Sequence, residues 1–193
     1  MQSDADGHNK IDEAYLDELV FQSQQGDKEA FGKLYDLLID KVHRFIYFKV
    51  DTGAVEDLVA MAFVKIWMNI GKYNKKAGVS FQAWVFRLAR NTVIDHHRFQ
   101  RSLISIDPDW RDESREANPR EVAEASISSD ILKEALKDIK DPYRQIIILK
   151  FINEMSNEEI AVILSKKESA IRLLQFRALA LLRKVLMKRG IRY

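Results

Sequence analysis

Residues 155–183 read MSNEEIAVILSKKESAIRLLQFRALALLR, the pattern of two amphipathic helices separated by a short break. Ser156 and Glu159 have the spacing of a capping box, in which a hydroxyl caps the helix and a carboxylate three residues on reaches back. The break is SKK at 165–167, and a longer helix follows from Glu168 to about Lys188. A short helix, a tight break and a longer basic helix together predict a helix-turn-helix.

A helical wheel of the longer helix separates its apolar side chains from its polar and charged ones. The apolar arc holds Ala170, Ile171, Leu174, Ala178, Leu181, Leu182 and Val185. The remaining arc holds Glu168, Ser169, Arg172, Gln175, Phe176, Arg177, Arg183 and Lys184. From Ser165 to Tyr193 there are nine Lys or Arg against one acid, enough positive charge to attract a polyanion. The alternative is a solvated basic helix in an ordinary helical bundle.

Composition limits the class of protein. A chain of 193 residues that is 47% hydrophobic can bury a real core, and its seven glycines and three prolines favour an all-α fold. The absence of cysteine rules out disulfides and thiolate metal sites, and fits a reducing compartment. There is no apolar run of membrane-spanning length, and the N-terminus is polar and acidic. We therefore expect a cytoplasmic protein with neither signal peptide nor membrane insertion.

The distribution of charged residues and of helical periodicity divides the chain into four segments. Residues 1–26 carry six acids against one base, 27–100 carry twelve bases against eight acids, 101–126 carry seven acids against four bases, and 127–193 carry fourteen bases against eight acids. Helical periodicity predicts helices over 15–24, 27–50, 54–70, 81–101, 127–139 and 143–152 before the helix-turn-helix. Asp27, Ser80 and Asp141 are the predicted N-caps of the second, fourth and sixth of these helices. We predict a flexible acidic tail at 1–13, a four-helix domain at 14–101, a flexible acidic linker at 102–126 and a helix-turn-helix domain at 127–193.

The helix predicted from Phe81 is a second candidate for nucleic-acid binding. It follows the basic loop GKYNKKAGV at 71–79 and carries several basic side chains opposite its apolar face. Cations that track phosphates beside an aromatic ring that stacks a base are typical of single-strand binding. The alternative is that Tyr73 and Trp84 close the edge of a small core.

Three stretches, taken together and in order, resemble the extracytoplasmic-function (ECF) group of sigma-70-type RNA polymerase sigma factors. They are EDLVAMAFVKIW at 56–67, FQAWVFRLARNTVIDHHR at 81–98 and the helix-turn-helix. The most characteristic pattern is W-x₂-R-x-A-R-N-x₃-D-x₂-R, matched by Trp84, Arg87, Ala89, Arg90, Asn91, Asp95 and Arg98. The resemblance covers about residues 14–101 and 127–188, and it implies that the first block is sigma region 2 and the second is region 4.

The resemblance implies a transcription initiation factor that binds core RNA polymerase, directs it to specific promoters and assists promoter melting. The third helix would bind the clamp helices of the polymerase β′ subunit through Glu56, Asp57, Val64, Lys65 and Met68. The β flap of the polymerase, promoter DNA and an anti-sigma factor are the other expected partners. The factor is expected to be no enzyme, with no catalytic residue, metal or cofactor.

The same resemblance implies two DNA-binding sites. The minus-10 element and its melted strand would be held by Tyr73, Lys75, Lys76, Trp84, Arg87, Arg90, Asn91, Asp95 and Arg98. The second helix of the helix-turn-helix would enter the major groove at the minus-35 element. Its base-facing candidates are Glu168, Ser169, Arg172, Gln175 and Phe176, and its phosphate-facing candidates are Lys166, Lys167, Arg177 and Arg183.

Three positions depart from the family pattern. Met61 stands where an acidic residue is common, Ser165 where the inter-helix turn usually has glycine, and Lys167 where a capping serine is usual. A residue other than glycine at positive φ costs about 1 kcal/mol, so a strained or reshaped turn is expected at Ser165.

Other functions explain less of the chain. A stand-alone helix-turn-helix regulator that binds duplex DNA without polymerase would leave the helix from Phe81 and its basic loop unexplained. A nuclease would need convergent carboxylates or a metal cluster. Its nearest candidates, Asp95 with His96 and His97, are adjacent on a helix and point about 100° apart. A bundle that only binds proteins is disfavoured by the segregation of charge.

Overall fold

The computed structural model describes residues 12–75, 78–106 and 125–191, and within these ranges it contains helices and no strand. Four α-helices form the N-terminal half, and we number them α1 (Glu13–Gln24), α2 (Lys28–Tyr47), α3 (Val55–Asn69) and α4 (Phe81–Ile106). Four more form the C-terminal half, namely α5 (Ala125–Lys137), α6 (Asp141–Ile147), α7 (Asn157–Leu164) and α8 (Glu168–Lys188). A π-helical turn, Ile148–Ile152, follows α6. The predicted all-α fold is confirmed.

The N-terminal helices begin at side chains that cap them. The Asp27 carboxylate accepts hydrogen bonds from the backbone N–H groups of Glu29 and Ala30 at 2.8 and 3.1 Å, which starts α2. The Ser80 hydroxyl accepts one from the N–H of Ala83 at 3.1 Å, which starts α4. Such caps satisfy amide groups that have no partner within the helix. Both caps were predicted from the sequence.

Helix α2 lies at the centre of the N-terminal half and packs against α1, α3 and α4. Its buried side chains recur at helical spacing, and they include Leu34, Leu38, Val42, Phe45 and Ile46. Phe45 meets Phe86 of α4 edge-on, with ring centroids 5.4 Å apart. This contact fixes one face of α4 in the core, so the opposite face of α4 is turned to solvent.

Some predicted boundaries are wrong. Helix α4 continues to Ile106 rather than ending near Arg101, since no glycine or proline lies between Arg101 and Pro108. Asp141 was predicted to cap a helix, but it is the first helical residue and Lys140 is the N-cap. The carboxylate of Asp141 is instead engaged by Lys49 of the N-terminal half. Residues 1–11 and 107–124, which hold most of the predicted tail and linker, lie outside the described residues, and the domain boundaries stay predictions.

The C-terminal half packs directly on the N-terminal half. Helix α7 lies along α4, the π-helical turn contacts α2, and buried residues of both halves form one continuous core. Polar bonds also cross the contact. The Ser80 hydroxyl donates to Glu159 Oε1 at 2.8 Å, and Arg90 Nε donates to Gln145 Oε1 at 3.0 Å.

An ion pair with a buried lysine lies within this contact. Lys49 Nζ is 2.6 Å from Asp141 Oδ1, and the Lys49 side chain is only 5% exposed. Burial lowers the pKa of Lys49, although Asp141 opposes the shift. Burial also disfavours charge on Asp141, but Lys49, Gln145 and Arg144 outweigh this effect, so the pKa of Asp141 is lowered. The pair therefore joins the halves at a desolvation cost.

Within the part of the chain that the structure describes, every helix is too short or too polar to cross a membrane.

Candidate nucleic-acid interface

The predicted helix-turn-helix is formed by α7 and α8. The Ser156 hydroxyl accepts from the N–H of Glu159 at 3.1 Å, and Glu159 Oε2 accepts from the N–H of Ser156 at 2.9 Å, which confirms the capping box. Ser165 ends α7 in the left-handed region at φ 52°, as the missing glycine led us to expect. Lys167 precedes α8 without a side-chain capping bond. The turn therefore keeps its geometry without two of its usual stabilising residues.

Packing of α6 and α7 on α8 determines which face of α8 is exposed. Ile160 and Ile163 of α7 and Ile171 and Ala178 of α8 are fully buried. The opposite face carries most of the predicted DNA-binding residues. Those exposed on this face or on the preceding turn are Lys166, Lys167, Ser169, Arg172, Phe176, Arg177 and Arg183.

Three of the predicted base-facing side chains, Glu168, Arg172 and Gln175, have partners within the chain. Gln175 is half-buried, and its Nε2 donates to Asn157 Oδ1 of α7 at 2.5 Å, so it lies on the side that faces α7. Arg172 donates from NH2 to Glu168 Oε1 at 2.6 Å in an exposed i, i+4 pair. Leu173, which belongs to neither arc of the helical wheel, is 51% exposed. Its spacing in the sequence could have predicted this exposure, because Leu173 is four residues after Ser169 and three before Phe176 and so lies on the same helix face.

Helix α4 presents a line of polar and basic side chains to solvent. Arg87, Asn91, Asp95 and Arg98 are exposed on successive turns. Asp95 Oδ2 pairs with Lys65 Nζ of α3 at 3.0 Å, which ties the line to the neighbouring helix. Arg90 is half-buried and bonds Gln145, so it belongs to the contact between the halves rather than to this line.

The predicted stacking aromatics lie in the core. Tyr73 is 8% exposed and Trp84 is 7% exposed. Both pack against Phe81, with centroid distances of 5.2 and 5.6 Å. The Tyr73 hydroxyl donates to the carbonyl of Val79 at 2.9 Å, and burial raises the pKa of Tyr73. This placement agrees with the alternative that Tyr73 and Trp84 close the edge of a small core. Base stacking by these rings stays a prediction.

The basic loop has a partner in the first helix. Lys75 is exposed and forms an ion pair with Asp17 of α1. Gln24 of α1 donates to the carbonyl oxygens of Ile70 and Tyr73 at 3.0 and 2.8 Å, which holds the start of the loop. Lys76 lies outside the described residues.

Helix α3 carries an exposed apolar strip beside two acids. Val64 and Met68 are 57% and 73% exposed, and Met61, one turn before Val64, is 49% exposed. Glu56 and Asp57, at the start of the helix, are also exposed. Lys65 is half-buried because it pairs with Asp95. Exposed apolar side chains in a row indicate a surface for another protein.

The candidate residues for a nuclease are directed to different partners. Asp95 pairs with Lys65, whereas His97 Nε2 lies 3.3 Å from the carbonyl oxygen of Lys49. Burial lowers the pKa of His97. No group of three or more His, Asp or Glu in the described ranges is arranged to hold a metal ion.

Comparison with known proteins decides the family. Residues 34–103 match the family Sigma-70 region 2, and residues 129–182 match Sigma-70, region 4. The chain is 33% identical over 178 residues to the ECF RNA polymerase sigma factor BldN of Streptomyces coelicolor, covering 91% of this chain and 67% of BldN. The chain belongs to the ECF sigma factors.

Other relatives agree with this assignment. The ECF sigma factor SigW of Bacillus subtilis is 26% identical over 166 residues, covering 79% of this sigma factor and 87% of SigW. The fold is shared with sigma factor RpoE of Bartonella quintana, solved in complex with the anti-sigma factor NepR, at a TM-score of 0.70. That likeness is 22% identical in sequence and covers 81% of this chain and 96% of RpoE. As an ECF sigma factor, the protein binds RNA polymerase and gives it promoter specificity.

Proposed function

We propose that the two halves of this sigma factor divide promoter recognition between them. Residues 14–101 act as region 2, which binds core polymerase and the minus-10 element. Residues 127–193 act as region 4, which binds the minus-35 element, and residues 102–126 connect the two. The observation that carries the proposal is that both predicted DNA-binding helices, α4 and α8, turn a basic face to solvent.

The minus-35 site is assigned to the exposed face of α8. Its base-facing residues are Ser169, Arg172 and Phe176, with Glu168 positioning Arg172 through their ion pair. Lys166, Lys167, Arg177 and Arg183 surround them and hold phosphates. Gln175 supports the site by joining α8 to α7. A helix-turn-helix presents the first turns of its second helix to base edges in this manner.

The minus-10 site is assigned to the exposed line on α4. Arg87 and Arg98 track the phosphates of the melted strand, and Asn91 lies between them on the same face. Lys75 extends this positive surface onto the preceding loop, and Lys76 follows it in the sequence as a further candidate for a phosphate contact. Tyr73 and Trp84 shape the wall of the site, and Asp95 holds Lys65 in place. This site assists promoter melting by binding bases that have left the duplex.

Core polymerase is the partner proposed for α3. Val64 and Met68 would be covered by the β′ clamp helices, with Glu56, Asp57 and Lys65 around them. Apolar side chains this exposed gain free energy when a partner removes them from water. The C-terminal half would contact the β flap.

An anti-sigma factor is a further proposed partner. RpoE of Bartonella quintana was solved with NepR, and CnrH, which shares the fold at a TM-score of 0.67 and 24% identity over 92% of this chain and 99% of CnrH, was solved with CnrY. The protein acts in the cytoplasm beside the polymerase, and it supplies no catalytic group, metal or cofactor of its own. The alternative of a stand-alone regulator gains no support from these relatives.

Co-elution with core RNA polymerase tests the proposal. The purified chain is mixed with core polymerase, resolved by gel filtration, and then used for run-off transcription on fragmented genomic DNA from the source organism. We expect a stable complex and discrete new transcripts whose starts reveal the two promoter elements. Separate elution, together with tight binding of the free chain to a palindromic duplex, would instead establish the stand-alone regulator.

A further inference from the structure

The outward face of α8 has an apolar centre. On a helix with about 100° per residue, Ser169, Leu173, Phe176 and Ala180 cluster within about 60° of one another, opposite the buried Ile171. All four are exposed. Leu173 is 51% exposed and Phe176 is 75% exposed. The side chains of α8 that point furthest from the core are therefore mainly apolar. We call these four residues the apolar line.

Cations lie on both sides of this apolar line. Arg172 and Arg183 fall on one side, and Arg177 and Lys184 fall on the other, each about 50–70° from the centre of the line. All four are exposed. The major groove of duplex DNA has a matching layout, because phosphates form its two rims and base edges form its floor. Arg177, Arg183 and Lys184 would reach the phosphates at the rims, while the apolar line, with Arg172 at its edge, would face the base edges.

Only one apolar group projects from the base edges into the major groove, the C5-methyl group of thymine. Two of the predicted base-facing polar side chains are already engaged, since Gln175 turns toward α7 to bond Asn157 and Arg172 bonds Glu168. The Ser169 hydroxyl is the polar group of the line itself. Leu173 and Phe176 have no such polar chemistry, and their exposed surface gains free energy only against another apolar group.

We propose that Leu173, together with Phe176, recognises thymine methyl groups in the minus-35 element. Leu173 is thus a specificity-determining residue that selects thymine by apolar contact rather than by hydrogen bonding. The inference rests on the proposed function, in which α8 enters the major groove at minus-35.

Two random-sequence duplex libraries test the inference, one containing thymidine and the other deoxyuridine, which lacks only the C5-methyl group. Each is selected with holoenzyme assembled from core polymerase and the full-length chain, and the bound DNA is sequenced. With the natural chain, we expect the upstream element to contain thymines in the first library. We expect affinity for that element to fall about fourfold for each contacted methyl group removed, the value for burying one methyl group.

Variants localise the effect. Leu173→Ala, on an exposed helical position, should bind the thymidine and deoxyuridine elements equally at the affected position. Leu173→Met keeps an apolar side chain and should retain the preference. Met187→Ala is the matched control, because Met187 is 65% exposed and lies on the same face about 21 Å further along α8. It should leave the methyl preference unchanged.

The outcomes of this experiment distinguish failure of the thymine-methyl inference from failure of the proposed function. An enriched upstream element with no methyl preference, or with a preference that Leu173→Ala retains, would overturn the inference and leave the sigma assignment standing. Holoenzyme that enriches no element from either library would overturn the proposed function and the inference together.

Discussion

Lys49 places a buried positive charge in the contact between the two halves. Its side chain is 5% exposed, and its Nζ lies 2.6 Å from Asp141 Oδ1 in the other half of the molecule. A buried ammonium that loses its counter-ion is strongly unfavourable, whereas an apolar side chain of similar size at that position has no charge to desolvate. The two members of the pair should therefore respond differently to substitution.

Asp141→Asn removes the counter-ion and keeps the shape of the side chain. We expect the free energy of unfolding at pH 7 to fall by about 1–2 kcal/mol, less than for a fully enclosed pair because Asp141 is half exposed. The pKa of Asp141 is lowered in the folded chain, so its stabilising contribution is complete above its ordinary value of 3.8 and is lost as pH falls through the folded value. Urea unfolding at pH 7 and pH 3 measures both effects, and the variant should lose less stability on acidification.

Lys49→Met is the control for this prediction. It removes the buried charge, keeps most of the volume, and leaves a half-exposed Asp141 that water can solvate. Its unfolding free energy should equal or exceed that of the natural chain. Equal destabilisation by both substitutions would show that packing, and not charge, determines the stability of this contact.

At the scale of the secondary-structure element, the backbone of the turn between α7 and α8 is strained at Ser165. Ser165 has φ 52° and ψ 48°, a conformation that glycine adopts without steric cost. Ser165→Gly should raise the free energy of unfolding by about 0.5–1 kcal/mol, which thermal unfolding can measure. Ser165→Ala keeps the Cβ and should give no gain. A glycine variant no more stable than the alanine variant would mean that this turn is not strained.

The exposed line of α4 gives a prediction about promoter opening. Asn91→Ala should reduce open-complex formation by about tenfold, the effect of losing one hydrogen bond to the melted strand. Permanganate reactivity of unpaired thymines measures opening, and co-elution with polymerase should be unchanged. Gln100→Ala, an amide on the opposite side of α4, is the matched control. If Asn91→Ala abolished co-elution instead, the line would belong to the polymerase interface.

The sequence predicted the starts of helices correctly where neighbouring residues determine them. The carboxylate of Asp27 and the capping box at Ser156 start helices where expected, because each cap acts within three residues of chain. It failed where a distant partner decides. Gln175 turns inward to Asn157, and Asp141 pairs with Lys49, which is 92 residues away in the sequence. No local pattern reports such a contact, and the aromatic burial of Trp84 likewise depends on packing.

At the scale of the whole molecule, the proposed assignment of α4 to the minus-10 element and α8 to the minus-35 element implies that the two halves must separate on the promoter. The start of α7 touches the start of α4 through the bond between Glu159 and Ser80. Helices α7 and α8 contain 8 and 21 residues, so they are about 12 and 32 Å long. The centres of the minus-10 and minus-35 elements are about 25 base pairs apart, or roughly 85 Å of duplex. Simultaneous binding therefore requires the contact between the halves to open.

A cross-link across that contact should block promoter use. The chain has no cysteine, so Ser80→Cys with Glu159→Cys creates a unique pair that a short bis-maleimide reagent can join. The untreated double variant should transcribe, since it can still open, whereas the cross-linked form should lose run-off transcription from promoters that need both elements. Each single-cysteine variant, treated with the same reagent, shows the effect of modification alone. Full transcription by the cross-linked form would mean that the two halves need not separate, and that region 2 and region 4 are placed on the promoter differently from the arrangement proposed for α4 and α8.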